Sequence, residues 1–306
     1  MAGNVPLRVL VSGSSGFIGK ALCRFLVTKG CLVTRLVRKE KKNVPCVLWN
    51  PETREGKLED FEGFDAIIHL AGENLATGMW TSSKKTRILE SRKKGTEFFV
   101  SLLKQLKSPP KVFLSASAIG YYGSSSFPVT EESNAGAGFL SKVCCLWEEA
   151  SKSLESFAIR TVHARLGIVI SVHGGMLKKI LPIFQLGLGG KIGDGKQMIS
   201  WISLEDVMDS FYHILTKDIV KGPVNIVSPF PVSQETFAKT LAKVLSKPCF
   251  FSIPRFLFLG EKAKELILSS IEVRPLRLEE TGYAFLFPKL EDAFQSTIKE
   301  EKEKVS

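Results

Sequence analysis

The sequence predicts an α/β protein: a doubly wound parallel sheet followed by a smaller C-terminal α+β lobe. Three observations predict it. Over the first 170 residues short apolar runs alternate with helix-length segments, the pattern of a parallel sheet covered on both faces. The first run, "RVLVS", leads straight into a turn carrying Gly13, Gly16 and Gly19 and then into a helix-length segment. Beyond Ser171 the alternation becomes irregular, and glycines crowd into "GLGGKIGDGKQMISWI". Because strand-helix-strand crossovers are right-handed, few windings other than the doubly wound one remain.

Arg8–Ser12 reads as the first strand and Phe17–Lys29 as the helix behind the glycine turn. Leu32–Val37 is a second strand, ended by the basic turn "RKEKK", and "FDAIIHLAG", Phe64–Gly72, is the next buried strand. Ser82–Leu106 is a long helix, Lys111–Ser117 a strand, Leu140–Leu154 a helix and Ile159–Val169 the element after it. Ser203–Leu215, Ser233–Leu245 and Phe256–Ser270 carry helical patterns, and the charged "IKEEKEKVS" is expected to fray. The domain boundaries that follow are a nucleotide-binding core over 1–170, remaining core elements and substrate-side loops over 171–250, a C-terminal domain over 251–298 and a charged tail over 299–306.

Composition narrows the class. With 44% apolar and 24% charged residues, the 306-residue chain is globular, and no apolar run reaches the ~20 residues of a membrane helix. The N-terminus lacks a signal peptide's basic region, and the six cysteines form neither a C-x-x-C pair nor a metal-ligand spacing. A cytoplasmic protein without a metal or a membrane partner is expected. The net charge of +11 suits phosphorylated ligands. Nucleic acid is not predicted, because no aromatic residues interleave with the basic stretch Lys84–Lys94.

A strand feeding a glycine-rich turn into a helix lets the backbone approach a pyrophosphate at the helix's positive end. Gly13 can take the tight turn, Gly16 leaves room for phosphate, and Gly19 lets helix and strand pack closely. An acidic residue at the end of the second strand would hold the ribose of NAD. The sequence has Val37, Arg38 and Lys39 there, and a guanidinium grips a 2′-phosphate, so NADP(H) is the predicted cofactor. Leu70, Ala71 and Gly72 are expected on the adenosine side, and Ser115, Ser117, Tyr121 and Tyr122 on the nicotinamide side.

The stretches "SGSSGFIG", "HLAGENL", "ESRKKGT", "FLSASAIGYYG", "GLGGKIGDGKQMISWI" and "VRPLRLEETGYAFLFPKLEDA" together resemble the extended short-chain dehydrogenase/reductase superfamily. Within it they resemble the NAD(P)-dependent epimerase/dehydratase branch, in the group called epimerase family protein, whose C-terminal domain has no known function. The resemblance implies a Rossmann-type core. It also implies NADP contacts at Gly13, Ser14, Ser15, Gly16, Phe17, Ile18, Gly19, Val37, Arg38, Leu70, Ala71, Arg92 and Val169, with Arg87 near the same surface. In "SLEDV" Ser203 is an expected N-cap and Asp206 a first-turn acid, next to Trp201. The glycine-rich segment is expected to fold over the substrate opening, with Lys191, Lys196 and Gln197 facing a polar or anionic ligand.

The superfamily's chemistry uses a tyrosine with a lysine four residues later. Tyr121, Tyr122, Tyr212 and Tyr283 are followed at that spacing by Ser125, Ser126, Thr216 and Phe287, so the pair is missing. Aligned on Glu148, the catalytic slots hold Leu140 and Cys144. Tyr121 or Tyr122, partnered by Ser117, is the first substitute proton donor, and Cys144 and Cys145 read as small apolar fillers, no base being at hand to activate a thiol. His69 reads as a core histidine. Two functions stay open: an NADP(H)-dependent oxidoreductase or epimerase acting on a small carbonyl or sugar-type substrate, and a catalytically degenerate NADPH-binding regulator or scaffold with a protein partner.

Overall fold

The computed structural model describes residues 5–40 and 43–305. The last two lysines of the basic turn, the first four residues and Ser306 lie outside the described residues. The chain begins β1 (Arg8–Ser12), α1 (Phe17–Thr28), β2 (Leu32–Val37), β3 (Cys46–Leu48), β4 (Ala66–His69), α2 (Ser82–Leu103) and β5 (Val112–Ala118). It continues through α3 (Phe139–Glu149), β6 (Arg160–Leu166), β7 (Ile168–Ile170), α4 (Gly175–Gln185), β8 (Gly190–Ile192), β9 (Met198–Ile199), β10 (Trp201–Ser203), α5 (Leu204–Thr216) and β11 (Gly222–Ile226). It ends with β12 (Val232–Ser233), α6 (Gln234–Val244), β13 (Phe251–Ile253), α7 (Glu261–Leu266), α8 (Leu276–Glu280) and α9 (Leu290–Val305).

Seven strands form one sheet in the order β11-β6-β5-β4-β1-β2-β3. β1 pairs in parallel with both β2 and β4, with Val9 opposite Val33 on one side and Ala66 on the other. The winding therefore reverses beside β1, and in such sheets the crevice at the strand ends of the reversal point receives ligands.

By contacts the chain divides into two compact units. The first comprises Met1–Ser117, Lys142–Ala164 and Phe211–Pro223; the second comprises Ala118–Ser141, Arg165–Ser210 and Val224–Ser306. In the first, Leu10, Ile67 and Phe113 from neighbouring strands bury against Phe98 and Phe99 of α2 and Trp49. These fully covered strands explain why the run "AIIH" is apolar without alternation. The second unit has its own core, in which Leu177 and Leu181 of α4, Trp201, Phe237 of α6 and Phe294 of α9 meet.

Several sequence-based boundaries shift for local reasons. The helix expected over Leu140–Leu154 stops at Glu149, and a short 3-10 helix, Lys152–Phe157, ends in Ala158 at a left-handed φ of 57°. The element expected over Ile159–Val169 is cut at Gly167, where a Cβ would lie 2.7 Å from Val227 Cγ1 and 2.9 Å from the Ser200 carbonyl oxygen. The chain there leaves β6 and starts β7, which pairs with β10 instead. The helical pattern over Phe256–Ser270 breaks into a short 3-10 turn, Arg255–Leu257, and α7, with Gly260 at a φ of +87° between them. β3, α4, α8, α9 and every strand from β8 to β13 were not predicted, and α9 runs through the charged residues expected to fray.

Candidate functional site

The turn after β1 is fixed by backbone approach rather than by side chains. Gly13 has a φ of +66°, and a Cβ on it would lie 2.7 Å from the Leu70 carbonyl carbon and oxygen. A Cβ on Gly19 would lie 2.3 Å from the Gly13 oxygen, so the first turn of α1 packs directly on the loop. Gly16 is exposed, and its N–H donates to the Gly13 carbonyl at 2.9 Å. α1 has no side-chain cap at Gly16 and no acidic residue in its first turn. Ser15 is exposed beside that helix end, and Phe17 and Ile18 are half-buried. Ser14 is buried, and its Oγ has no hydrogen-bond partner.

Behind the turn, a single hydroxyl joins two strand ends. Ser12 Oγ accepts from the Leu70 and Ala71 N–H groups at 3.1 and 3.3 Å and lies 2.7 Å from His69 Nδ1. With both lone pairs engaged, the hydroxyl donates to Nδ1, which places the imidazole hydrogen on Nε2. His69 is fully buried between Phe99 and Phe113, as its strand position predicts. Burial, followed by the charge of Arg92, pushes its pKa down to about 3, so it is neutral.

At the end of β2, Val37 is buried while the Arg38 side chain is 71% exposed, 3.8 Å from Glu52 Oε1. β2 and β3 place Val37 opposite Leu48, and a turn closed by the Asn50–Glu55 bridge then brings Glu52 to Arg38. Sequence spacing gave no hint of Glu52, because β3 was itself unpredicted. Leu70 and Ala71 are half-buried. The loop after them is held by α2: Ser91 Oγ accepts from Glu73 N, and Lys84 pairs with the Glu73 carboxylate. Arg92 donates to the Glu73 and Ile88 carbonyls and stacks over Trp147 at 4.9 Å. Burial lowers its pKa to about 10, leaving it charged at neutral pH. Arg92 therefore braces the loop from beneath. Arg87 is exposed near the start of α2, with Nη1 3.3 Å from Ser83 Oγ. Also in the first unit, buried Ser117 at the end of β5 donates to Glu148 Oε1 at 2.7 Å.

In the second unit the two adjacent tyrosines have different surroundings. Tyr122 is 2% exposed; its hydroxyl donates to Asn225 Oδ1 at 2.7 Å and accepts from Arg165 Nη1 at 2.9 Å. Burial pushes its pKa up to about 12. The Asn225 backbone N–H in turn donates to Glu131 Oε1, and its side-chain Nδ2 donates to the Arg274 carbonyl. Tyr121 is half-buried, and the Arg165 guanidinium lies 3.5 Å from its ring centroid. Val169 belongs to this unit as well, on β7 opposite Ile202. Of the slots where the superfamily carries tyrosine and lysine, Leu140 packs on Gly120 and Cys144 is buried. The Phe139 and Leu140 N–H groups at the start of α3 are both capped by the Glu265 carboxylate. Gln197 is buried with Oε1 unpartnered, Lys191 pairs with Glu235, and Lys196 is exposed. Arg165, Asn225, Glu131 and Glu265 escaped sequence reasoning, because each acts through partners far along the chain.

A sheet that reverses beside β1, with a glycine turn opening α1 at that point, is the Rossmann-type architecture. Residues 9–227 match the NAD dependent epimerase/dehydratase family, and 252–297 match a domain of unknown function, DUF1731. The chain is 34% identical to epimerase family protein ML0860 of Mycobacterium leprae, over 90% of this chain and 91% of that one. It is 33% identical to epimerase family protein YfhF of Bacillus subtilis, over 97% and 99%. Among solved structures, human epimerase family protein SDR39U1 (isoform 2), crystallised with NADPH, superposes with a TM-score of 0.89 at 30% identity, covering 96% of this chain and 99% of that one. The chain belongs to the NAD dependent epimerase/dehydratase family. Among the described residues no helix is long and apolar enough to cross a membrane, and no group of three or more His, Cys, Asp and Glu side chains could hold a metal ion.

Proposed function

We propose that this protein binds NADP(H) at the β1–α1 turn and acts as an oxidoreductase or epimerase on a small carbonyl or sugar-type substrate. The observation that carries the proposal is the uncapped start of α1 beside the buried, unpartnered Ser14 hydroxyl. An unpaired buried hydroxyl costs about 1–3 kcal/mol, and an anion at the turn would satisfy it together with the free N–H groups of the first helical turn. The close packing of Gly13 on Leu70 keeps the turn tight enough for backbone contact with phosphate. On this proposal Gly13–Gly19 hold the diphosphate, Arg38 meets the 2′-phosphate, and Leu70 and Ala71 line the adenosine side. NADP(H), when bound, supplies or accepts a hydride. Tyr121 is assigned the proton exchanged with the substrate oxygen, because the Tyr122 proton is committed to Asn225. The six free thiols support a reducing, cytoplasmic setting.

Equilibrium titration with NADPH and NADH tests the cofactor assignment. Ser14→Ala is expected to raise the urea midpoint of the free protein, because it removes an unpaired buried hydroxyl, and to weaken NADPH binding by about 10–150-fold, the worth of one hydrogen bond to a charged group. Arg38→Gln is expected to weaken NADPH selectively by about 10–100-fold while NADH binding stays constant. Equal losses for both nucleotides in Arg38→Gln would refute the 2′-phosphate assignment.

A second function is favoured by the apolar filling of the catalytic slots by Leu140 and Cys144: an NADPH-binding regulator that performs no turnover. Incubation with NADPH and a panel of carbonyl and nucleotide-sugar compounds separates the two. Loss of NADPH absorbance with any of them favours the enzyme, and retained binding without turnover favours the regulator.

A further inference from the structure

The second unit carries an apolar surface that its own core does not use. Leu186 and Leu188 follow α4 and are 75% and 54% exposed; Phe250 and Phe251 at β13 are 90% and 52% exposed; Phe256 and Leu259 beyond it are 70% and 81% exposed. Backbone pairing brings these side chains to one region. β8 and β13 run in parallel with Gly190 opposite Phe251, a Cβ on Gly187 would lie 3.4 Å from Pro248, and one on Gly193 would lie 2.5 Å from Arg255 Cγ. Isolated exposed leucines are ordinary, but several large apolar side chains grouped on one face mark an interaction surface.

The charges around it select the occupant. Residues 178–196 contain Lys178, Lys179, Lys191 and Lys196 against Asp194, and residues 235–265 contain six basic residues against Glu235, Glu261 and Glu265, with Lys243 also pairing with Glu291 at 2.9 Å. Most of these lysines are exposed, and Lys191 and Lys239 share the single carboxylate of Glu235. A second copy seated face to face would set one strongly basic rim against another, which repels. A membrane surface bearing anionic headgroups meets both features: phenylalanine and leucine enter the headgroup-acyl boundary, while lysine stems lie along the apolar surface with their ammonium groups on phosphate.

We propose that the α4–β8–β13 face docks this protein on anionic phospholipid bilayers. The sequence predicts no membrane partner, an expectation that rests on the missing spanning segment, and surface docking needs no such segment. Apolar insertion and electrostatic attraction act as the paired signals that reversible peripheral binding requires.

Co-sedimentation of the full chain with vesicles of phosphatidylcholine alone, and of phosphatidylcholine mixed with phosphatidylserine, tests this. Binding is expected to the mixed vesicles at low salt and to fall steeply at high salt, where the ions screen the lysines. Phe250→Ser combined with Phe256→Ser is expected to reduce binding at least about tenfold, and Lys196→Gln combined with Lys247→Gln about fivefold per charge removed. These substitutions lie at exposed positions, and an unchanged urea midpoint and NADPH titration confirm that each variant is folded. Absence of binding, or equal binding to neutral and anionic vesicles, overturns the proposal. So does concentration-dependent dimerisation in sedimentation velocity that the phenylalanine variant abolishes, which assigns the face to a second copy.

Discussion

Replacing Asp206 with Asn removes one charge and one acceptor from a fully buried position, and the structure sets the cost. Asp206 Oδ1 accepts from the Tyr283 hydroxyl at 3.0 Å and the Leu286 N–H at 2.7 Å; Oδ2 accepts from Ser203 Oγ at 2.7 Å and the Phe287 N–H at 3.0 Å. An amide offers one oxygen and one NH2 group. Whichever way it turns, the NH2 faces a backbone N–H, of Leu286 or of Phe287, that cannot reverse its direction. That orphaned donor costs about 1–3 kcal/mol, and weakening the charge-assisted bonds that remain adds about 1–2 kcal/mol. The acid also sits in the first turn of α5, where its charge contributes a few tenths of a kcal/mol or more. Asp206→Asn is therefore expected to lower unfolding stability by about 2–5 kcal/mol in urea titration. Hydrogen exchange at Leu286 and Phe287 should accelerate before the rest of the chain loosens. A loss below about 0.5 kcal/mol with both amides still protected would refute the four-bond account.

Gly13→Ala is expected to cost about 2–4 kcal/mol in the same titration, because the methyl group meets the Leu70 carbonyl and the backbone has a φ of +66°. For His69, whose folded pKa of about 3 lies below its unfolded value, stability is full above pH 6.5 and falls as the pH drops towards 3. Between pH 7 and pH 5 the wild type should lose about 2 kcal/mol that a His69→Gln variant does not lose, read from paired urea midpoints. Tyr122→Phe should destabilise by about 1–3 kcal/mol without altering NADPH affinity, since it strips a partner from Asn225 and Arg165. Tyr121→Phe should leave stability within about 0.5 kcal/mol and abolish any turnover found, as measured by NADPH oxidation.

The parts of the fold legible in the sequence are those fixed by local pattern. β1 and β4 are runs buried on both faces, β2 shows as a short Leu/Val-rich run, and α1 follows a glycine spacing that only close backbone approach requires. β3 escapes because it has three residues and no alternation to read, and with it went Glu52 beside Arg38. α4 was hidden by Pro182 within it, although the helix buries Leu177, Leu181 and Phe184 on one face. At the site, the glycines and Arg38 could be named from spacing. Ser12 could not, because its role depends on β1 and β4 being neighbours, a fact of topology that places residues 57 positions apart within 2.7 Å.

Unsatisfied polar groups occur in both units. In the second unit the Tyr122 hydroxyl bonds Asn225 and Arg165, while Glu131 accepts two N–H groups on Oε1 and its buried Oε2, like Gln197 Oε1, has no partner. At the β1–α1 turn the Ser14 hydroxyl is left bare and the helix starts on Gly16 without a side-chain cap, at a cost that a capping side chain would reduce by a few tenths of a kcal/mol. Selection for stability alone would fill such a place. On the proposed function, the energy withheld from folding at the turn is recovered when phosphate occupies it. The chain's stability should then rise with NADPH concentration by mass action, whether or not the nucleotide is turned over. A thermal midpoint that climbs with NADPH in wild type but not in Gly13→Ala separates cofactor holding from chemistry. A midpoint indifferent to NADPH in both would mean that the bare serine serves another anion.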